Sequence, residues 1–189
     1  MAGSHVVVLE GSPHREGNTA ALVGHLADAA RADGATVEVF HLHDMDIAPC
    51  TGCEACHRPE VENCIIEDDM EAIYPKLRAA DAVVFASPIY FFTMTAQLKT
   101  ALDRCYALVS PGSPSALAGK RVGLVFTYGA PDFVQSGCAN AAQTFRDVCT
   151  FNEMEIAGVA HGSTVQGGIR DNREAMDAAA DLGHRLAAG

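Results

Sequence analysis

The sequence predicts an α/β protein in which five parallel strands form one sheet, with helices covering both faces. Strand-like and helix-like segments alternate along the 189 residues, without a repeat and without a low-complexity linker. The strand-like segments are mostly continuous apolar runs, as in a sheet that is buried on both faces. The length suits a single domain with a full hydrophobic core, to which we assign residues 1–189.

Each predicted strand is a short run that is either continuously apolar or alternates in polarity, as buried strands do. The five runs are Val6–Leu9, Thr36–Leu42, Ala82–Ala86, Arg121–Tyr128 and Ile156–Ala160. Because helical segments separate them, consecutive strands need crossover connections and should run parallel.

Helical periodicity fills the gaps between these strands. Residues 18–33 place leucines on one face, and Gly34 follows as a stop signal. Asp68 and Asp69 are good helix-start residues, but Pro75 interrupts the pattern, so we expect that helix to begin near the proline. The other helices are predicted from about Thr95, over about Phe133 to Phe151, and through the final apolar face Ala175, Ala179, Leu182 and Leu186.

The predicted connections limit the order of the strands. Crossovers between parallel strands are right-handed, and two doubly wound orders are common. The order with five strands is 2-1-3-4-5, which defines the flavodoxin-like three-layer sandwich. Ligands of such sheets bind at the carboxyl ends of the strands, where the strand order reverses. The loops after strands one, three and four therefore form the candidate site.

The loop after strand one has the composition of a cradle for a single phosphate. It runs from Gly11 through Gly17 into a helix, and its glycines allow close approach of the backbone. Ser12, Asn18 and Thr19 add side-chain donors, and the helix N-terminus adds free N–H groups. No Lys-Ser or Lys-Thr follows Gly17, and Gly-x-Gly-x-x-Gly is absent, which disfavours a Walker loop and a dinucleotide site. The alternative is a plain turn with Asn18 or Thr19 as the helix cap.

The loops after strands three and four complete this edge. The first contains Tyr90–Phe92, and an aromatic ledge at the mouth of a sheet suits the stacking of a flat ring. Alternatively these aromatics plug the sheet end or form a subunit contact. Because the patch is too apolar to be left bare, we expect a homo-oligomer, a dimer or larger. In the second loop, the backbone N–H groups of Thr127, Tyr128 and Gly129 are candidate donors to such a ring, the alternative being an ordinary turn.

Seven cysteines are many for a chain in a reducing compartment, and four of them lie close together in the sequence. The segment of residues 48–66, here called the cysteine segment, contains Cys50, Cys53, Cys56 and Cys64. Zinc sites more often use two separated Cys-x2-Cys pairs, whereas successive x2 spacing is typical of an iron–sulfur ligand run. Free thiols or a labile redox pair are the alternative. The segment follows strand two, so we expect it at the same edge as the three loops.

The overall composition narrows the class of protein. The net charge of −11 disfavours nucleic-acid binding, because a phosphate backbone would repel the protein. No apolar run approaches the roughly 20 residues that span a bilayer, and the N-terminus has no charged region followed by a long apolar stretch. We therefore expect a cytoplasmic protein without a membrane or nucleic-acid partner.

Taken together, these motifs resemble the NAD(P)H-dependent FMN reductase and iron–sulfur flavoprotein branch of the flavodoxin-like family. The resemblance covers about residues 5–165. It is carried by Gly11-Ser12-Pro13 with Gly17-Asn18-Thr19, by Ser87-Pro88-Ile89-Tyr90-Phe91, by Lys99 with Asp103-Arg104, by Pro49-Cys50-x-Gly52-Cys53-x-x-Cys56, and by Cys64 with Asp68-Asp69-Met70. Each motif is weak alone, but the set is specific.

The resemblance implies FMN as the bound cofactor and NAD(P)H as the co-substrate. It places the phosphate in the first loop and the Pro-x-Tyr-Phe loop against the isoalloxazine ring. The residues with these implied roles are Ser12, His14, Gly17, Asn18, Thr19, Pro88, Ile89, Tyr90 and Phe91. His14 departs from the family pattern, in which an arginine is frequent. We interpret Lys99 and Asp103-Arg104 as surface charges and ion pairs rather than catalysts.

The resemblance also implies a redox enzyme. Its electrons would come from NAD(P)H or a protein donor and pass to a small acceptor such as a quinone, a nitro or azo compound, or a free flavin. No side chain stands out as a catalytic acid or base. A [4Fe–4S] cluster on the four cysteines of the cysteine segment is implied as well. The alternative function is a non-enzymatic electron carrier or binding partner that holds both flavin and cluster.

Overall fold

Five parallel strands form one sheet at the centre of the molecule. The structure is a computed structural model that describes residues 3–109 and 112–188, so residues 1–2, 110–111 and 189 of the predicted domain lie outside the described residues. The strands are β1 (His5–Glu10), β2 (Thr36–His41), β3 (Ala82–Pro88), β4 (Arg121–Tyr128) and β5 (Glu155–Ser163). Their order is β2-β1-β3-β4-β5 with parallel neighbours, which confirms the predicted flavodoxin-like order.

Helices cover both faces of this sheet. They are α1 (Asn18–Ala32), α2 (Met70–Ala79), α3 (Ala96–Arg104), α4 (Cys138–Asn152) and α5 (Arg173–Ala187). Side chains alternate along β1, so Val6 and Val8 pack with α1 and α5, whereas the intervening Val7 packs with α2, α3 and α4. These two apolar cores hold the carboxyl ends of the strands at one edge, where the strand order reverses between β1 and β3.

The second helix begins earlier than the sequence predicts. Helix α2 starts at Met70 and not near Pro75, which lies inside the helix. The proline removes one intrahelical hydrogen bond, but Met70, Ile73 and Leu77 bury one face of the helix against the sheet and outweigh this loss. The Asp68 carboxylate accepts from the backbone N–H of Met70 at 3.0 Å and supplies the start of the helix.

The fourth helix begins later than predicted, at Cys138 and not near Phe133. The preceding residues form a turn in which the Asp132 carboxylate accepts from two backbone N–H groups, each at 2.8 Å. Gly137 then adopts a φ of 80°, a left-handed conformation that an α-helix does not contain. The prediction began the helix too early because the turn before Cys138 continues the apolar periodicity of the helix.

The remaining boundaries are close to the predictions. Helix α1 ends before Gly34, which has a φ of 89° and acts as the expected stop. Strand β5 extends beyond the predicted Ile156–Ala160, because it pairs with β4 as far as Tyr128. Within the described residues, no helix is both long and apolar enough to cross a bilayer.

Candidate functional site

Hydrogen bonds join the loops after β1, β3 and β4 at the carboxyl edge of the sheet, here called the ligand edge. The hydroxyl groups of Thr19 and Thr127 lie 2.7 Å apart and link the start of α1 to the end of β4. The backbone N–H of Ile89 donates to the Thr127 carbonyl at 2.8 Å. The Thr95 hydroxyl donates to the carbonyl of Gly11 at 2.9 Å. The fold itself therefore connects the three loops into one structure.

The start of α1 presents backbone N–H groups to this edge. Gly17 is the N-cap residue, and no side chain of the described residues caps the helix. The first hydrogen bond at the helix start runs from the N–H of Ala21 to the carbonyl of Gly17 at 3.0 Å. The N–H groups of Asn18, Thr19 and Ala20 therefore remain available, as they do in anion-binding helix N-termini.

The first loop is held by internal hydrogen bonds and by one bond to the loop after β5, which the sequence did not predict to be part of the site. The Ser12 hydroxyl accepts from the N–H of His14 at 3.2 Å, and the N–H of Gly17 donates to the His14 carbonyl at 3.0 Å. The side-chain oxygen of Asn18 accepts from the N–H of Ile169 at 3.0 Å, in the loop after β5. With its oxygen occupied, the Asn18 amide still has its N–H donors for a ligand.

Phe91 and Phe92 lie at the tip of a tight turn, here called the aromatic turn (residues 90–93). The N–H of Tyr90 donates to the Thr93 carbonyl at 2.9 Å, and the reverse bond measures 3.2 Å. Both phenylalanines have positive φ values, 45° and 72°, which cost a non-glycine residue about 1–2 kcal/mol each. Phe91 is 95% exposed, which excludes a plug of the sheet end. A strained and exposed aromatic pair beside a ligand edge indicates a functional role.

The start of α4 supports the aromatic turn. Gly137 approaches Phe92 so closely that a Cβ atom at position 137 would lie 2.4 Å from the Cα of Phe92. The side-chain amide of Asn140 donates to the Phe92 carbonyl at 3.2 Å. The sequence does not reveal this contact, because Phe92 lies 45 positions before Gly137 in the chain. The glycine itself is the one local signal.

Tyr128 reaches the ligand edge only through its backbone. Its side chain is buried, and its hydroxyl lies 3.0 Å from Nδ1 of His161 on β5. Burial raises the pKa of Tyr128 and lowers the pKa of His161. Thr127 is buried as well, whereas Gly129 is exposed. Of these three predicted residues, only Gly129 is exposed.

The residues that the sequence predicts to bind the cofactor lie along this one edge. They are Ser12, His14, Gly17, Asn18, Thr19, Pro88, Ile89, Tyr90, Phe91, Thr127, Tyr128 and Gly129. The structure brings them together from three loops, although Ser12, Thr19, Ile89, Thr127 and Tyr128 are buried. Their individual roles stay predictions.

Sequence reasoning missed a buried carboxyl group at the same edge. Glu10 ends β1 and is 0% exposed, and its Oε2 lies 2.9 Å from Nδ1 of His41 at the end of β2. Burial raises the pKa of Glu10 to about 7, although the charge of Arg15 opposes the shift. The available signal was a charged residue directly after the apolar run Val6–Leu9.

Arg104 is buried at the base of the cysteine segment, and its interpretation as a surface charge is wrong. Its guanidinium donates to the carbonyl groups of Ala48 at 2.8 Å and Ile66 at 3.2 Å, close to the two ends of the segment. Both of its terminal nitrogens also contact the Asp68 carboxylate, one of them at 3.1 Å. A buried arginine with this set of acceptors clamps the segment at its base.

The cysteine segment runs along α3 rather than over the ligand edge, where we expected it. The rings of His57 and Tyr106 lie 4.5 Å apart, and Tyr106 follows α3. Cys50 lines an apolar cavity of about 550 Å³ with Lys99 and Asp103, which form the predicted exposed ion pair at 2.6 Å. Helix α3 starts at the ligand edge and has 9 residues. At about 1.5 Å per residue, its last turn lies roughly 12 Å away from that edge.

The four cysteines of the segment are neighbours but do not form an assembled ligand set. Within the described residues, no three His, Cys, Asp or Glu side chains converge as metal ligands do. Burial raises the pKa of Cys56, and the nearby thiols of the other three cysteines raise it further. The N–H of Ala55 and the hydroxyl of Thr51 lower the pKa of the exposed Cys53. The predicted cluster geometry is therefore not preformed.

The three cysteines outside the segment are buried in the core that contains α2, α3 and α4. They are Cys105, Cys138 and Cys149. Burial raises their pKa values to about 12, 12 and 11, respectively. These thiols therefore pack as small apolar side chains and stay protonated at neutral pH.

The strand order and the ligand edge together define a flavodoxin-like protein in which an uncapped helix start lies beside an aromatic turn. A family model described as NADPH-dependent FMN reductase matches residues 4–171. The chain belongs to this family.

Relatives and solved structures agree with this family. An iron–sulfur flavoprotein of Methanocaldococcus jannaschii is 39% identical over 52% of this chain and 50% of its own length, so the chain spans about half of that relative. A second iron–sulfur flavoprotein of the same organism is 34% identical over 83% of this chain and 77% of the relative. The structure of an NAD(P)H:quinone oxidoreductase from Methanothermobacter marburgensis superposes with a TM-score of 0.70 over 98% of both chains. At 17% identity, the last likeness shows the fold alone.

Proposed function

We propose that this protein is an FMN-dependent oxidoreductase. It takes electrons from NAD(P)H, or from a protein donor, and passes them to a small acceptor such as a quinone, a nitro or azo compound, or a free flavin. The observation that carries the proposal is the uncapped start of α1 beside an exposed aromatic turn, because one suits a phosphate and the other a flat ring. Family membership supports FMN as that ligand.

In this proposal the first loop binds the phosphate. The N–H groups of Asn18, Thr19 and Ala20 donate to phosphate oxygens, and the helix dipole balances part of the negative charge. The only cationic side chain of the loop is Arg15, which lies 2.7 Å from Asp44. The site therefore depends more on backbone donors than on cationic side chains.

The aromatic turn and the loop after β4 bind the flavin ring. Tyr90 and Phe91 lie against the ring, and the N–H of Gly129 faces its pyrimidine end, where donors stabilise the charge of the reduced form. When bound, FMN supplies the hydride and electron chemistry. The chain supplies position, electrostatics and an apolar surface that limits access of water.

The bound ligand and its reduction test this function. Heat release followed by chromatography should recover FMN, and recovery of FAD alone would contradict the cofactor assignment. Under anaerobic conditions, NADH or NADPH should bleach the flavin absorbance, and a quinone should restore it. If neither nucleotide bleaches the flavin, the protein is a carrier that depends on a protein donor.

A second candidate function, an iron–sulfur flavoprotein that carries electrons, is favoured by the cysteine segment. Arg104 fixes the two ends of the segment, and the other three thiols of the segment lie close enough to raise the pKa of Cys56. Cys50, Cys53, Cys56 and Cys64 would hold a [4Fe–4S] cluster, which would supply one-electron transfer. The N–H of Gly52 already points at the sulfur of Cys50, 3.4 Å away. Four cysteine thiolates are the ligands that such a cluster needs. To bind it, the segment must change conformation between its fixed ends so that the four sulfurs come together.

Anaerobic reconstitution with iron and sulfide tests this second function. The native chain and Cys149→Ser, which alters a buried cysteine outside the segment, should both take up iron. Cys53→Ser should take up much less iron and keep its flavin. Equal iron uptake by Cys53→Ser and the native chain, or negligible uptake by both, would show that these cysteines are not cluster ligands.

We further propose a cytoplasmic homo-oligomer, a dimer or larger. The rings of Phe91 and Phe92 lie together and exposed beside the ligand edge, and a second copy is the simplest cover for them. A second copy could also bring its cysteine segment near this ligand edge. The seven cysteines are all free thiols, which fits a reducing compartment. Light scattering should give a mass well above the 19.9 kDa of one chain at micromolar concentration.

A further inference from the structure

Glu10 lies directly beneath the loop that we assign to the phosphate. It is the last residue of β1, and Gly11 begins the loop. In the sheet it is flanked by His41 of β2 and Ala86 of β3. Because side chains alternate along a strand, Glu10 shares the face of Val8, which packs with α1. The carboxyl group therefore lies between the sheet and the start of that helix.

The Glu10 carboxyl group is fully buried. Neither of its oxygens has a hydrogen-bond partner among the described residues. Nδ1 of His41 lies 2.9 Å from Oε2, but the two groups lack the alignment of a hydrogen bond. A negative charge is costly in such a place, and burial raises the pKa of Glu10 to about 7.

Few charged groups surround Glu10 and His41. Arg15 comes from the first loop and ion-pairs at 2.7 Å with Asp44, which follows β2. Burial lowers the pKa of His41, and the charge of Arg15 lowers it further while Asp44 opposes the shift. Among the described residues, the buried face of α1 is uncharged, and β3 contributes Ala86. As the pH rises through about 7, the pair therefore changes from neutral to one negative charge.

We propose that Glu10 and His41 hold a proton beneath the phosphate loop, and that binding of the FMN phosphate is coupled to retention of this proton. A phosphate at the start of α1 adds negative charge close to the carboxyl group, and like charges at short distance disfavour each other. The bound phosphate and the proton therefore stabilise one another. This inference rests on the proposed FMN site and makes Glu10 a residue that tunes affinity through charge, without contacting the cofactor.

The coupling predicts that FMN affinity falls as the pH rises. Bound phosphate lets Glu10 keep its proton to a higher pH, so binding is tightest where the flavin-free protein is also protonated, below about pH 7. The phosphate itself titrates near about pH 6, outside the window between about pH 7 and 9. If phosphate raises the pKa of Glu10 from about 7 to about 8, FMN affinity falls about fivefold across that window, out of a total fall of about tenfold from acid to alkaline pH. Riboflavin, which has no phosphate, should show no such fall.

Binding of FMN and riboflavin to the full chain, depleted of flavin, tests the coupling. Glu10→Gln imitates the protonated acid, so its FMN affinity should not depend on pH and should exceed that of the native chain at about pH 9. Glu16→Gln removes the same charge from an exposed position in the loop and should keep the native pH dependence.

Proton uptake gives a second readout that needs no variant. Calorimetric titration at about pH 7.5, in two buffers of different ionisation enthalpy, counts the protons that accompany binding. For a pKa that rises from about 7 to about 8, FMN should take up about half a proton, and riboflavin none. Any proton that the FMN phosphate loses on binding would have the opposite sign.

The outcomes separate this inference from the function on which it rests. A pH-independent FMN affinity of the native chain, with no proton uptake, overturns the coupling and leaves FMN binding intact. Equal pH dependence for FMN and riboflavin overturns it too, because the titrating group then acts on the ring. If neither flavin binds at any pH, the proposed cofactor and the coupling are both overturned.

Discussion

At the ligand edge three loops are tied directly to one another, through the Thr19–Thr127 hydroxyl pair and the bond from Thr95 to Gly11. The cysteine segment is instead tied to helices α2 and α3, by Arg104 at its two ends and by Arg78 at residues 62–63. The interior of that segment contains one short 3₁₀ turn and no strand or α-helix. Folding alone therefore shapes the ligand edge. The cysteine segment has a fixed base, but folding does not bring its four thiols together as a ligand set within the described residues.

The largest effect is expected at that base. Arg104→Met removes the guanidinium and leaves Asp68 buried without its charged partner, and two carbonyl groups without their donor. Breaking a buried ion pair in this way costs about 3–5 kcal/mol of the free energy of unfolding, which denaturant titration measures. Asp103→Asn removes an exposed charge next to it in sequence and should cost less than about 1 kcal/mol. Equal stability of Arg104→Met and the native chain would show that the clamp contributes nothing.

A smaller effect is expected where the loops of the ligand edge meet. Thr127→Val keeps the side-chain shape but leaves the Thr19 hydroxyl buried without its partner, at a cost of about 1–3 kcal/mol. Because this bond joins two loops, FMN affinity should fall together with the melting temperature. Thr36→Val, at an exposed position, should change neither quantity. Unchanged FMN affinity in Thr127→Val would mean that the loops bind the cofactor independently of one another.

The smallest effect on stability should have the opposite sign. Phe91→Gly relieves the left-handed backbone strain at the tip of the aromatic turn, and this gain exceeds the entropy cost of glycine by up to about 1 kcal/mol. The same change removes the exposed ring, so NAD(P)H-dependent turnover should fall. Phe151→Ala removes another exposed phenylalanine, at the end of α4, and should leave turnover unchanged. If Phe91→Gly keeps the full turnover of the native chain, the aromatic turn is not part of the active site.

The strand order and the three loops of the ligand edge were predictable because they depend on local signals. Apolar runs mark the buried strands, and Gly17 directly before a helical pattern marks the loop for which we propose phosphate binding. The start of α2 was wrong because Pro75 was given more weight than the apolar face around it. The start of α4 was wrong because Gly137 was not recognised as a break between a turn and a helix.

What the sequence could not reveal depends on partners that are distant along the chain. The burial of Arg104 follows from contacts with residues 36 to 56 positions away, so its charge alone suggested a surface position. The bond between Asn18 and Ile169 spans 151 positions and brings the loop after β5 to the ligand edge. The pairing of Glu10 with His41 depends on the register between β1 and β2, which the sequence alone does not give.

Burial also divides the seven cysteines into two groups with different reactivity towards alkylating reagents. The thiolate is the reactive form, and Cys105, Cys138 and Cys149 have pKa values of about 11 to 12. At neutral pH these three cysteines stay unlabelled in the folded chain. Each reagent molecule that adds to the mass of the chain has therefore reacted with a cysteine of the cysteine segment. Intact-mass measurement of the native sequence can therefore count how many sulfurs of the segment are protected, without any engineered label.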